Sequence, residues 1–205
     1  MKPIARLTSL RNTYYLLRHG RSVANAQGLI VSDVSVGRTA FGLTDEGASE
    51  VRSNLMAIRN ELPALSRIYS SDFLRTEQTA AIASEILAAP VELSPRLRER
   101  GFGDFEGQSN NHYDRVWQRD AADALHREWN VESVHSVAAR MSDLVNEIDQ
   151  SGSGNTYLLV SHGDPLQILI TAAREIDLRF HRQLDPLGTG EVRLLASDSR
   201  FSDAK

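Results

Sequence analysis

Short apolar runs alternate along this chain with longer amphipathic ones, and that alternation predicts an α/β fold with helices on both faces of a sheet. Three observations carry the expectation. Residues 13–17 and 156–160 are short runs rich in aromatic, β-branched and aliphatic residues, as buried strands are. Several stretches between them repeat apolar residues at three- and four-residue steps, as helices with one buried face do. Three strand ends then carry polar groups of one kind: Arg18-His19-Gly20, Ser70-Ser71-Asp72-Phe73-Leu74-Arg75 and Ser161-His162-Gly163. In sheets of this class the ligand sits beyond the carboxyl ends of the strands.

The elements follow in order. Residues 1–12 read as a loosely held arm, and the first strand occupies 13–17. Taken alone, Arg18-His19-Gly20 is explained as well by a strand ending in a solvated arginine and a satisfied histidine as by a site. Gly20 allows a sharp turn or a close approach to a ligand. Residues 26–43 form a loop punctuated by Gly28, Gly37 and Gly42, longer than most connections in compact domains, and such loops tend to be functional. Thr44 is an N-cap, and Asp45 and Glu46 place negative charge at a helix's positive end. Ala48, Val51, Leu55, Ile58 and Leu62 give that helix one apolar face, and Pro63 ends it.

Arg67–Ser70 is a second strand, followed by Ser71-Asp72 as a cap and by an Ala-rich helix over 73–87. Ala89-Pro90 breaks the helix before a short strand at 91–93. Residues 96–107 form a charged, Gly-punctuated loop. Tyr113, Val116, Trp117, Ala121, Ala124 and Leu125 then stand at helical spacing, with Tyr113, Trp117, Trp129 and Met141 expected in the core. A helix over 133–149 presents Val134, Val137, Met141, Leu144, Val145 and Ile148 on one face. After a turn at 151–154 comes the strand 156–160, and Pro165 suits the first turn of a helix continuing to Ala173. A last strand spans 191–196, and 197–205 reads as a frayed tail. No repeat or linker interrupts residues 1–205, so a single domain is expected.

Bulk properties remove several classes. A net charge of −4 speaks against a general nucleic-acid binder. The absence of cysteine excludes a disulfide framework, a thiolate nucleophile and cysteine-ligated zinc. No apolar run approaches the roughly 18 residues of a membrane span, and residues 1–12 lack a signal peptide's apolar core. The expectation is a cytoplasmic protein without membrane or nucleic-acid partners. His112, His126, His135 and His181 show no metal-ligand spacing, so no metal site is expected.

Four motifs stand in order: Arg18-His19-Gly20, Arg75-Thr76-x-x-Thr79, Leu97-Arg98-Glu99 before Gly103-x-x-Glu106-Gly107, and Ser161-His162-Gly163. Together they resemble the histidine phosphatase superfamily, also called phosphoglycerate-mutase-like, over most of the chain. The resemblance implies a three-layer α/β/α sandwich with a mostly parallel sheet. It also implies phosphoryl transfer through a phosphohistidine, with no metal or other cofactor required. By that resemblance His19 is the nucleophile, Glu99 the proton donor and His162 the second catalytic histidine. Arg18, Arg75, Asn25 and His162 match the phosphate-binding groups.

These residue types suit that chemistry. Phosphate monoesters hydrolyse so slowly that acceleration approaching ~10²¹-fold is needed. A covalent intermediate divides the barrier, and neutral imidazole is a competent nucleophile at physiological pH. Guanidinium forks match phosphate oxygens. Glu99 needs a raised pKa to donate a proton near neutrality. A backbone carbonyl is expected to hold the His19 tautomer, and Glu106 is expected to bond backbone in the turn at 103–107.

Two departures separate the chain from the mutase branch it resembles. Arg21 stands where that branch typically has Glu, and Ala24 where it typically has Trp. The expected activity is therefore that of a histidine-acid-type phosphomonoesterase acting on a small anionic phosphoester, such as a sugar or carboxylate phosphate. Mutase-type transfer, a protein phosphatase and a non-enzymatic phospho-ligand sensor remain alternatives. Substrate choice is expected in 26–43 and 108–131. Arg21, Arg38 and Gly163 are candidate substrate contacts, and Arg115, Arg119, His126, Arg127 and Arg140 are further cations near the site. The oligomeric state is left open.

Overall fold

A computed structural model describes residues 3–195. Five strands form one sheet: β1 (Thr13–Arg18), β2 (Arg67–Ser70), β3 (Val91–Leu93), β4 (Thr156–Ser161) and β5 (Val192–Leu194). Their spatial order is β3-β2-β4-β1-β5. The first four run parallel, and β5 joins the β1 edge antiparallel. The helices are α1 (Val23–Gln27), α2 (Val34–Gly37), α3 (Asp45–Ile58), α4 (Leu74–Leu87), α5 (His112–Ala122), α6 (Val134–Gln150) and α7 (Gly163–Ala173).

Strand alternation divides the core into two layers. Leu16 and Leu159 pack with Val137, Met141, Leu144, Leu166 and Leu169 of α6 and α7 on one face. Leu17, Leu158, Val160 and Ile68 pack with Val51, Leu55, Ala80 and Ala83 of α3 and α4 on the other. The result is the α/β/α sandwich. A smaller cluster of Ile30, Phe102, Phe105, Val116 and Val131 covers the strand ends.

Several elements depart from expectation. Thr44 caps α3 by accepting from the Gly47 amide at 3.0 Å, but α3 stops at Ile58 instead of reaching Leu62. Beyond Ile58 the chain continues in turns, the Glu61 and Leu62 amides both donating to Ile58 O at 2.9 and 3.2 Å, before Pro63. α4 begins at Leu74 with Phe73 as its unbonded N-cap, in place of a Ser71-Asp72 cap. The 26–43 loop contains α2 and the end of α1, the 3₁₀ turn Pro95–Leu97 runs into the start of the 96–107 loop, and a second, Gly103–Phe105, lies within it. The described part of the N-terminal arm is not loose. Leu7 is buried in the core, and the Arg11 and Asn12 amides donate to Asp149 at 3.0 and 3.1 Å. The expected tail at 197–205, and Ala196 of the last strand, lie outside the described residues.

Candidate active site

Strand register builds the site. Arg18 of β1 pairs with Ser161 of β4, so His19 and His162 leave the sheet side by side. The His19 amide donates to Ser161 O at 3.0 Å, and the two rings meet edge to face at 5.1 Å. Gly20 serves an approach of backbone to backbone. A Cβ there would lie 2.8 Å from Gly47 O and 2.5 Å from Val51 Cγ2, so glycine lets the N-terminus of α3 close on β1. Thr79 of α4 accepts from the Gly20 amide at 3.1 Å and donates to Arg75 O at 2.8 Å, tying the turn after His19 to the helix that carries Arg75.

His19 is buried, and its Nδ1 stands 2.8 Å from Gly20 O. A carbonyl only accepts, so Nδ1 carries the hydrogen and Nε2 the lone pair. This is the backbone carbonyl that the sequence implied without locating. Arg75, from the first turn of α4, points one Nε–H between His19 Nε2 and His162 Nδ1, each at 3.2 Å. His162 Nε2 faces Ser71 Oγ at 3.0 Å. Burial, then the Arg75 charge, holds both imidazoles well below the usual histidine range, with Arg18 adding to the effect. Both are therefore neutral at physiological pH.

Arg18 donates Nη1 to Leu187 O at 2.7 Å, and Arg75 donates Nη2 to Val31 O at 3.0 Å. Each keeps a buried nitrogen without a partner, Nε of Arg18 and Nη1 of Arg75. Burial works against both charges, yet guanidinium holds its proton. Gly163 has a steric role: a Cβ there would lie 3.1 Å from Arg18 Cζ. Asn25 Oδ1 accepts from the Ser22 amide and hydroxyl at 3.1 and 3.0 Å in a capping box, which leaves its NH₂ as a donor beside the cavity.

Glu99 Oε1 accepts from the Arg100 amide at 2.9 Å. Its Oε2 lies 3.7 Å from both Arg75 Nη2 and His162 Nδ1. Burial outweighs the Arg75 charge and pushes the carboxyl up to about 7. A proton on Oε2 is thus available near neutral pH. Glu106 bonds backbone, though not in its own turn. Its Oε2 accepts from the Ser32 amide and hydroxyl at 2.7 Å, pinning the 26–43 loop over the strand ends.

Arg18, His19, Asn25, Arg75, Glu99 and Gly163 line one cavity of about 320 Å³. The other candidate cations do not line it. Arg38 pairs with Asp72 at 3.3 Å, and Arg140 bonds Glu132 at 2.9 Å and Arg96 O at 2.7 Å. Arg119 pairs with Glu128, His126 with Asp120, and Arg115 lies 4.4 Å over the Trp129 ring. Arg127 is 3.4 Å from Ser136 Oγ, and Arg21 is exposed outside the cavity. Arg21 and Arg38 thus lie outside the lining of this cavity, Arg38 paired with Asp72 and Arg21 exposed.

The cavity is completed by residues that sequence reasoning assigned elsewhere. Tyr113 and Trp117 of α5, expected as core, stack at 5.1 Å and form a wall. Arg182, in the 3₁₀ segment Leu178–Gln183, also lines the cavity. Nothing in its local sequence distinguishes it from the neighbouring Arg179. Behind the wall, buried Arg100 meets both Asp120 oxygens at 2.7 and 2.8 Å and Asp164 Oδ2 at 3.2 Å. Among the described residues no group of three or more His, Asp or Glu has an arrangement that could hold a metal ion. None of their helices is long and apolar enough to cross a membrane.

Comparison with known proteins agrees with this geometry. Residues 14–202 match the family described as the histidine phosphatase superfamily (branch 1). A probable phosphoglycerate mutase GpmB of Photorhabdus laumondii is 30% identical over 175 residues, covering 83% of this chain and 78% of that protein. A mycobacterial glucosyl-3-phosphoglycerate phosphatase complexed with VO3 superposes with a TM-score of 0.76 at 25% identity, covering 89% of this chain and 91% of that one. YhfR of Bacillus stearothermophilus gives 0.72 at 25% identity, covering 89% and 90%. The chain belongs to the histidine phosphatase superfamily.

Proposed function

We propose that this chain is a phosphomonoesterase that hydrolyses a small phosphomonoester through a phosphohistidine on His19. The orientation of His19 carries the proposal: Nδ1–H is fixed on Gly20 O, and the Nε2 lone pair lies beside Arg75 in the cavity that Arg18 and Glu99 also line. In the first step Nε2 attacks phosphorus and the bond to the leaving oxygen breaks. The Glu99 proton goes to that oxygen, so an alcohol departs instead of an alkoxide. In the second step the Glu99 carboxylate takes a proton from water, whose oxygen attacks phosphorus. The P–N bond breaks and releases inorganic phosphate. Arg18, Arg75 and the Asn25 amide would hold the phosphoryl oxygens throughout.

Water as the final acceptor is supported by Ala24, a small residue lining the cavity where the mutase branch typically places Trp. The structural similarity to the mycobacterial glucosyl-3-phosphoglycerate phosphatase points the same way. Phosphoglycerate mutase-type transfer is the second reading, favoured by the similarity in sequence to a probable phosphoglycerate mutase. Phosphate release from phenyl phosphate, alongside a coupled assay for interconversion of phosphoglycerates, separates the two. Release by wild type and its loss in His19→Ala are expected. Interconversion without phosphate release would replace the phosphatase reading by the mutase one.

A further inference from the structure

The Glu99 carboxyl makes one hydrogen bond, Oε1 accepting from the Arg100 amide at 2.9 Å. Its Oε2 lies 3.7 Å from Arg75 Nη2 and His162 Nδ1, beyond hydrogen-bond range. No bond holds that end of the carboxyl, so its place in the cavity follows the backbone that carries it. That backbone is pinned from outside the cavity. Ser161 Oγ donates to Leu97 O at 2.7 Å and anchors the loop to β4. Arg140 of α6 then reaches two further carbonyls: Nη1 donates to Arg96 O at 2.7 Å, and Nη2 donates to Glu99 O at 3.2 Å.

Glu132 holds the other edge of this guanidinium. Arg140 Nε donates to its Oε1 at 2.9 Å and Nη2 to its Oε2 at 3.1 Å. Glu132 also fixes the loop beyond Glu99: Oε2 accepts from the Gly101 amide at 3.3 Å, and its backbone carbonyl accepts from Arg100 Nε at 2.7 Å. One planar fork thus makes four bonds, two to a carboxylate and two to loop carbonyls, which a single ammonium could not reproduce. Neither Arg140 nor Glu132 lines the cavity. The remaining groups of the site are held by other partners: His19 by Gly20 O, Arg18 by Leu187 O, Arg75 by Val31 O and Asn25 by Ser22.

We propose that Arg140, held by Glu132, is a positioning residue for the proton donor: it fixes the Glu99 backbone and with it the reach of the Glu99 carboxyl to the leaving oxygen. This rests on the phosphatase reading above. Two aryl esters separate a displaced proton donor from a loosened fold. Phenolate leaves poorly without a proton, whereas 2,4-dinitrophenolate leaves as the anion. Their kcat/KM reports the steps up to phosphoryl transfer onto His19, in which the proton is used. Since a misplacement of ~1 Å can cost ~10²-fold, Arg140→Met is expected to lower kcat/KM for phenyl phosphate by ~10–100-fold and to leave 2,4-dinitrophenyl phosphate within ~3-fold of wild type. Arg140→Lys, which keeps charge but loses the fork, should fall between. Equal losses on the two esters, or no loss on either, overturn the assignment. Should Arg140→Met fail to fold, the same split in Arg140→Lys decides. Glu99→Gln calibrates the pair and should show the split at least as strongly. Equal losses in Glu99→Gln would overturn the proton-donor role, and turnover of neither ester by wild type the phosphatase reading; the assignment falls with either.

Discussion

Two charged clusters lie buried behind the strand ends, and they are neutralised differently. In one, the Arg100 fork meets both oxygens of Asp120, and Asp164 closes it from a second side. His126 lies 2.7 Å from Asp120 Oδ1, and His181 lies 3.4 Å from Asp164 Oδ1. Protein acids answer protein cations there. In the other, Arg18 and Arg75 crowd two neutral imidazoles and one carboxyl that burial keeps protonated up to about pH 7. Buried charge marks both clusters, but only the second needs an anion from outside to complete it. Incomplete neutralisation distinguishes a site from a structural brace.

Substitutions can break this contrast, and the largest effect is expected at His19. His19→Ala should lower kcat by ~10⁴-fold or more, read as phosphate release. A loss under ~10-fold would make the second cluster a brace like the first. Asp120→Ala leaves Arg100 with a single shared carboxylate and should cost about 3–5 kcal/mol in urea unfolding. A stability unchanged by that substitution would deny the first cluster its bracing role.

Arg75→Met sharpens the comparison by separating the two properties. Its charge has no full counterion in the fold, so its removal should leave unfolding stability equal or raised. The rate should nevertheless fall by ~10²–10³-fold. Loss of stability comparable to that of Asp120→Ala would show that the guanidinium braces the fold.

Glu99 provides the smallest effect, and its sign is fixed by its pKa. The folded value of about 7 stands above the ordinary carboxyl value of 4.5. Below pH ~4.5 the group is protonated folded or unfolded, and the favourable protonated state is fully present. As pH rises toward 7 the unfolded chain releases the proton first, so stability declines by roughly 3 kcal/mol in total. Glu99→Gln should remove that decline, raising Tm relative to wild type at pH 8 but not at pH 4. Under the proposed mechanism the same proton serves the leaving group: for esters with poor leaving groups, kcat/KM should fall as pH rises through about 7. A flat profile from pH 6 to 9 would remove Glu99 as the acid.

Legibility in the sequence followed the same division. His19, Arg75 and His162 stand at strand ends or the first turn after one, where a polar group interrupts an apolar run. Strand register then brings them together without further information. The Arg100 brace was illegible because its partners Asp120 and Asp164 lie 20 and 64 residues away, and Arg96-x-Arg98-Glu99-Arg100 reads locally as a charged surface run. Tyr113 and Trp117 keep helical spacing whether they face a core or a cavity, so periodicity could not place them. Arg182 sits in a 3₁₀ segment with no pattern that aims a side chain. The pairing of the candidate substrate-reading cations was hidden for a related reason. Sequence shows Arg38 and Arg140 but not that Asp72 and Glu132 reach them first.

The proposed nucleophile, His19, can be tested directly. Wild-type protein turning over labelled phosphoester, quenched rapidly without acid, should carry label on the peptide containing His19, with the label sensitive to acid and absent from His19→Ala. Label on another residue, or full turnover by His19→Ala, would contradict covalent catalysis through this histidine.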